Sequence, residues 1–292
     1  MTDQKTIFIF GAGFSGKAYA EIAISSGARV FGTTRSIESA AKLQTLGILP
    51  IVFEGSIVSD ELTQAIDQST ELIISIAPDE DGDPVLRAAG ELLSKTKNLQ
   101  WIAYLSTVGV YGNHDGAWVD EDTKCKPVSK RSVQRVAAET EWQDFAKRMD
   151  LPLSILRLSG IYGPGRNALK NMTEGKARRL IKPGQVFNRI HVADIARSLS
   201  FLSAKCADGV FNVTDDLPSP PQDVVECAAS VIKIDPPEPI EFETATLSPM
   251  ARSFYGENKR VSNAKIKSIG FQFSYPDYRY ALEKMWSDDN WR

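Results

Sequence analysis

The segment Gly11-Ala-Gly13-Phe-Ser-Gly16 constrains this chain most, because of where it stands. It closes the apolar run Thr6-Ile-Phe-Ile-Phe10 and opens a helical pattern from about Phe14 to Ser26, where Gly27 occupies a helix-ending position. At a strand-to-helix turn each glycine has its own task. The first permits the tight turn, the second lets a diphosphate approach the backbone, and the third lets helix and strand pack closely. The helix then offers its unpaired N–H groups to the anion. Spaced glycines alone are common at turns; the flanking strand and helix give these their meaning.

The rest of the first half repeats the alternation. Strands are predicted at Ala28–Phe31, Leu49–Phe53, Glu71–Ile76, Trp101–Leu105 and Leu153–Leu158, with helices at about Ile37–Leu46, Pro84–Lys95 and Ser129–Arg148. Near-continuous apolar strands separated by helices imply a parallel sheet covered on both faces. Right-handed crossovers make it a doubly wound α/β sheet, the Rossmann fold. The prolines at 218, 220, 221, 236, 237 and 239 break the pattern in the last third, which reads as a smaller C-terminal substrate lobe. Gly209–Thr214 is expected to return one strand to the main sheet. The predicted division is 1–160 with 190–215 for the dinucleotide-binding domain, and 161–189 with 216–292 for the lobe.

Where the second strand ends, a chain of this kind that takes NAD carries Asp or Glu to bond the ribose 2′-hydroxyl. Here the residues are Gly32-Thr33-Thr34-Arg35, without a carboxylate. Arg35 can fork onto a 2′-phosphate, with Thr33 or Thr34 donating beside it, so the pattern predicts NADP in preference to NAD. The cofactor contacts expected here are Gly11, Gly13, Phe14, Ser15, Gly16, Thr33, Thr34, Arg35 and Ala77.

Bulk properties narrow the classes. A net charge of −3 argues against a nucleic-acid partner. No apolar stretch is long enough to span a membrane. Cys125, Cys206 and Cys227 are odd in number and far apart, which predicts reduced thiols and a cytoplasmic location. Two histidines, His114 and His191, cannot build a His-rich metal site.

Four more segments follow in order: Leu105-Ser-Thr-Val-Gly-Val-Tyr-Gly112, Arg157-Leu-Ser-Gly-Ile-Tyr-Gly-Pro-Gly-Arg166, Arg189-Ile-His-Val-Ala-Asp-Ile-Ala196 and Val210-Phe-Asn-Val-Thr-Asp215. With the glycine turn, the chain resembles the extended short-chain dehydrogenase/reductases of the NAD-dependent epimerase/dehydratase type over nearly its whole length. The resemblance implies a nucleotide cofactor, a small-molecule substrate, oxidoreductase or epimerase chemistry, and a homodimer paired through two long helices.

That family uses a Ser or Thr, here Thr107, and a Tyr-x-x-x-Lys pair on the following helix. Four residues apart, the two share one helix face, so the lysine can hold the ribose and stabilise a tyrosinate. Aligned on Ala137-Ala-Glu139, the tyrosine falls on Arg131 and the lysine on Arg135. Arginine stays protonated, so Arg131 cannot do the tyrosine's work, while Arg135 can still meet the ribose. The family's asparagine is also missing near Asp81-Gly82-Asp83. The chain therefore resembles the atypical branch, with Thr107, Tyr111, Tyr162 or water left as proton donors. Lys130 reads as a solvated lysine, His114 as exposed and His191 as structural.

Between Arg166 and Arg189 seven basic residues face one acid, Glu174, which suggests an anionic or nucleotide-sugar substrate; a solvated helix face explains them equally well. Two readings stay open: an enzyme with a non-standard proton donor, and a non-catalytic NADP(H)-binding sensor or regulatory module.

Overall fold

The computed structural model describes residues 5–292. Strands β1 (Thr6–Phe10), β2 (Arg29–Thr34), β3 (Leu49–Val52), β4 (Glu71–Ile74) and β5 (Trp101–Thr107) join Leu153–Leu158 and Gly209–Val213 in one seven-stranded sheet. From one edge to the other the order is Gly209–Val213, Leu153–Leu158, β5, β4, β1, β2, β3. β1 pairs in parallel with both β2 and β4, and the chain order reverses at that point, the doubly wound arrangement. The central strands β1 and β4 are buried along their entire length, as a sheet covered on both faces requires.

Helices α1 (Phe14–Ser25), α2 (Ile37–Gln44), α3 (Asp60–Asp67), α4 (Pro84–Leu93) and α5 (Lys130–Met149) make the crossovers. α3 is not among the elements expected from sequence. Its start is marked by Ser59, whose hydroxyl accepts the Leu62 amide, and by Asp60 and Glu61 in the first turn, both favourable at a helix N-terminus. Two expected strands also run further: β2 continues to Thr34 and β5 to Thr107. The edge strand β3 contains Pro50. Aromatic side chains fill the core, with Trp142 of α5 lying 6.2 Å from the Tyr104 ring and 5.6 Å from Phe145.

Contacts divide the chain into two units. The first comprises 1–107, 130–157 and 195–211; the second comprises 108–129, 158–194 and 212–292. Residues 108–129, assigned to the first domain by sequence, cluster with the second unit. That unit carries three two-stranded parallel ladders: Gly160–Tyr162 with Arg189–His191, Arg179–Ile181 with Pro239–Glu241, and Trp118–Val119 with Arg260–Val261. The helices Ala168–Thr173, Pro221–Ile232 and Tyr278–Ser287 bury Leu169, Met172, Ala228, Leu282 and Met285 against one another. Among the described residues no helix is long and apolar enough to cross a membrane, and no group of His, Cys, Asp or Glu is placed to hold a metal ion.

Candidate functional site

In the first unit the glycine turn has the geometry its spacing predicts. Gly11 sits at φ +84°, and a Cβ there would also press on Ile76 at 3.0 Å. At Gly16 a Cβ would meet Gly11 O and Ile9 at 3.1 Å, so that glycine sets how closely α1 lies on β1. Gly13 differs. It is exposed, and the nearest atom to a Cβ there, Gly11 O, is 3.9 Å away. The chain's own packing therefore does not demand a glycine at 13, and the missing side chain leaves this backbone open to a ligand. α1 also has no capping side chain and no acid in its first turn, while α2, α3 and α4 are capped by Ser36, Ser59 and Asp83. Phe14 is half-buried and Ser15 buried at the start of this helix, and Ala77 is exposed beyond β4. The turn fits a dinucleotide diphosphate.

At the end of β2 the two threonines part company. Thr33 is buried; its Oγ1 accepts the Gly11 amide at 2.8 Å and its carbonyl accepts the Ala12 amide at 2.9 Å. It holds the turn from behind, which corrects the expectation that it could donate to a 2′-phosphate. Thr34 is half-buried, and Arg35 is exposed with no partner among the described residues. Gly32, which sequence reasoning passed over, is also required here: a Cβ would come within 2.9 Å of Ala12 Cβ and 2.8 Å of Ile48.

Thr107 ends β5 half-buried. On α5, Arg135 turns to the same strand, donating through Nη1 to Leu105 O at 2.8 Å and to the Tyr104 hydroxyl at 3.2 Å. Its Nε and Nη2 keep no partner among the described residues, so a charged donor face remains. Arg131, one turn earlier, is exposed. Glu139, the residue that anchored the alignment, is buried in a paired fork with Arg157 at 2.7 Å and also accepts the Ser106 hydroxyl. Where the family asparagine was sought, Asp83 instead caps α4 through Val85 N and Leu86 N, and burial pushes its carboxyl up.

The second unit removes one proton-donor candidate. Tyr111 is fully buried, and its hydroxyl donates to Asn212 Oδ1 at 2.7 Å. Asn212 in turn donates to Ser262 O and receives a backbone position fixed by Glu121. Tyr111 is a packing residue, contrary to expectation, because nothing in its sequence neighbourhood announced the distant asparagine. The turn that follows is equally tight: Gly112 sits at φ +73° and a Cβ there would overlap Lys126 O. His114, expected to be exposed, is half-buried with Nε2 at 3.1 Å from Tyr111 O.

Tyr162 keeps its candidacy. Its hydroxyl is buried without a partner and burial holds its pKa well above the ordinary phenol value. Its ring meets His191 edge-on at 5.3 Å, and His191 stacks on Tyr275 at 3.7 Å. Burial lowers the His191 pKa to about 4, the behaviour of a packed neutral imidazole. Asp194, whose role sequence reasoning missed, is buried and accepts the amides of Ser274 and Tyr275 at 2.9 and 2.8 Å. An acid inside an otherwise apolar helix start was the signal available.

Tyr162 also lines a cavity of about 360 Å³ with Ile161, Arg166, Arg189, Val224 and Leu282. Of the seven basic residues around it in sequence, most are engaged elsewhere. Glu174 pairs with Lys170 and Lys176, Glu226 lies 3.6 Å from Arg179, Arg178 donates to Thr246 O, and Lys182 to Tyr255 O. Arg166 makes no side-chain bond among the described residues, and Arg189 donates only through Nη1, to Phe187 O and Ser219.

Among solved structures, the chain is similar to a functionally unknown conserved protein from Silicibacter pomeroyi DSS, with 43% identity and a TM-score of 0.89 over 98% of this chain and 99% of that one. It is similar in fold to dTDP-glucose 4,6-dehydratase from Bacillus anthracis str. Ames in complex with NAD, at 17% identity and a TM-score of 0.78 over 98% and 97% of the two chains. UDP-glucuronic acid 4-epimerase from Bacillus cereus in complex with NAD gives 17% identity and a TM-score of 0.75 over 98% and 100%. No curated protein matches. The profile of the NAD dependent epimerase/dehydratase family matches residues 7–214, from β1 through the strand Gly209–Val213, and the chain belongs to that family.

Proposed function

We propose that this protein binds NADP(H) and acts as an atypical oxidoreductase or epimerase on a polar, anionic small molecule. The observation that carries the cofactor choice is Arg35, exposed and unpartnered where β2 ends, with no carboxylate in Gly32–Arg35. A guanidinium there suits a 2′-phosphate, and an acid that would bond a 2′-hydroxyl is lacking. Supporting the dinucleotide itself are the open Gly13 turn and the NAD held by the fold relatives. A cytoplasmic location accords with three cysteines that form no disulfide.

When bound, the nicotinamide dinucleotide supplies hydride transfer. The chain's own residues position and protonate. The amides opening α1 hold the diphosphate, and Arg35 reads the extra phosphate. Arg135, pinned to Leu105 O, offers Nε and Nη2 where the family lysine meets a ribose. Thr107 and Tyr162 are the remaining hydroxyls for proton transfer; Tyr162 keeps its proton at neutral pH.

Fluorescence titration tests the cofactor choice. Wild-type protein should bind NADPH more tightly than NADH, and Arg35→Ala should erase most of that difference, about tenfold or more for a charge-assisted contact. Equal affinities in the wild type would sink the assignment.

The non-catalytic reading is favoured by one observation: arginines stand at both positions of the lost pair, and Arg135 is partly spent on β5. Following NADPH absorbance with carbonyls and nucleotide sugars separates the readings. Oxidation above buffer supports the enzyme. If the wild type is active and Arg131→Tyr combined with Arg135→Lys is slower, an alternative acid is in use.

A further inference from the structure

The cavity in the second unit has an unusual division between polar and apolar wall. Three amides line it, Asn167, Asn171 and Asn188, and two of them, Asn167 and Asn188, are held by the backbone. Asn167 donates to Gly163 O and Trp291 O and caps Lys170 N; Asn188 donates to Lys259 O and accepts Val261 N. Ile161, Ala168, Pro221, Val224, Val225 and Leu282 make the apolar part of the wall.

Arg189 is the contrast. Its Nη1 donates to Phe187 O at 3.0 Å and to Ser219 Oγ at 2.7 Å, which fixes the guanidinium. Nε and Nη2 have no partner, and no carboxylate lies within ion-pair distance of it among the described residues. The nearby Asp215 is buried, desolvation holds its carboxyl well above the usual range, and it forms no ion pair with Arg189. A largely buried cation without a counter-ion is costly and is relieved by an anion arriving from outside. Two further donors line the same cavity: the buried, partnerless hydroxyl of Tyr162 and the unpartnered side chain of Arg166.

We propose that this cavity takes a small molecule with one anionic oxygen group, a carboxylate or a phosphate, on a compact apolar body. Arg189, Arg166 and the Tyr162 hydroxyl bind the anionic group, and Val224, Val225 and Leu282 cover the body. The inference rests on the reading of this protein as acting on an anionic small molecule, and it narrows that substrate away from nucleoside-diphosphate sugars.

Calorimetric titration of the full chain with benzoate, phenyl phosphate, benzyl alcohol and uridine diphosphate tests it, with NADPH titrated into the same preparation. Benzoate or phenyl phosphate should bind, whichever does so identifying carboxylate or phosphate as the preferred head. Benzyl alcohol and uridine diphosphate should each be at least about tenfold weaker, the worth of charged hydrogen bonds in the first and of ribose hydroxyls and a polar base set against the apolar wall in the second. Arg166→Ala and Tyr162→Phe should each weaken the better anion several-fold, and neither removes a bond that the folded chain makes to itself. Failure of both anions to bind, or tighter binding of uridine diphosphate or benzyl alcohol, overturns the proposal. If NADPH still binds in that case, only this inference falls; if NADPH fails as well, the cofactor assignment falls with it.

Discussion

Thr33 accepts the amide of Gly11 on its Oγ1 at 2.8 Å, so the second strand holds the glycine turn in place from behind. Thr33→Val keeps the shape and deletes that acceptor. An N–H left unpaired in this way costs about 1–3 kcal/mol. Because the residue acts through the turn, affinity for NADPH and NADH should fall by the same factor. A loss confined to NADPH would show instead that Thr33 touches the 2′-phosphate. Urea unfolding and paired titrations make the comparison.

Gly13 and Gly16 should respond in opposite ways to the same change. Gly13→Ala places a methyl where the nearest protein atom is 3.9 Å away, so stability should shift by no more than about 1 kcal/mol while cofactor affinity drops at least about tenfold. Gly16→Ala forces a methyl against Gly11 O and Ile9 at 3.1 Å, and thermal melting should show the larger loss. Unchanged NADPH binding in Gly13→Ala would remove the strongest support for a diphosphate at this turn.

Tyr111→Phe leaves Asn212 Oδ1 buried without its donor, which should cost about 1–3 kcal/mol in chemical denaturation. If the protein turns over substrate, the shape of its pH–rate profile should be the same in this variant. A vanished limb of the profile would restore Tyr111 as the acid.

His191 makes stability depend on pH. Its pKa is about 4 in the folded state, below the ordinary value of 6.5, so between these values the unfolded chain holds a proton that the folded one does not. Stability is then complete above about pH 6.5 and declines as pH falls toward 4, by a total on the order of 3 kcal/mol. His191→Phe keeps an aromatic ring between Tyr162 and Tyr275 and should flatten that slope. Unfolding free energies measured at intervals across this window provide the check.

The sheet was readable because buried parallel strands are near-continuous apolar runs, as at 7–10 and 72–74, while 153–158 keeps the run with Ser154 and Arg157 buried inside it. α3 escaped because only three of its eight residues are buried and its apolar stripe is short; its cap, Ser59, was the surer sign. In the glycine turn, local spacing carries the chemistry, so Gly11, Gly13 and Gly16 could be assigned in advance. Thr33, Tyr111 and His114 could not, since their environments are made by residues far along the chain, such as Asn212, 101 positions from Tyr111. The seven basic residues show the same limit: composition counts charges, and only coordinates reveal that Glu174 and Glu226 occupy three of them.

Pro50 has a further effect at the rim of the molecule. The amide of Phe53 points inward to Thr34 O, so by the two-residue alternation Leu49 and Ile51 also face β2, and Pro50 and Val52 present their main chain outward. A proline at an outward place withholds one of the hydrogen-bond donors that an incoming strand would need there. The β3 margin of the sheet is thereby a poor template for pairing with a further strand, even though Leu49 and Val52 are exposed there.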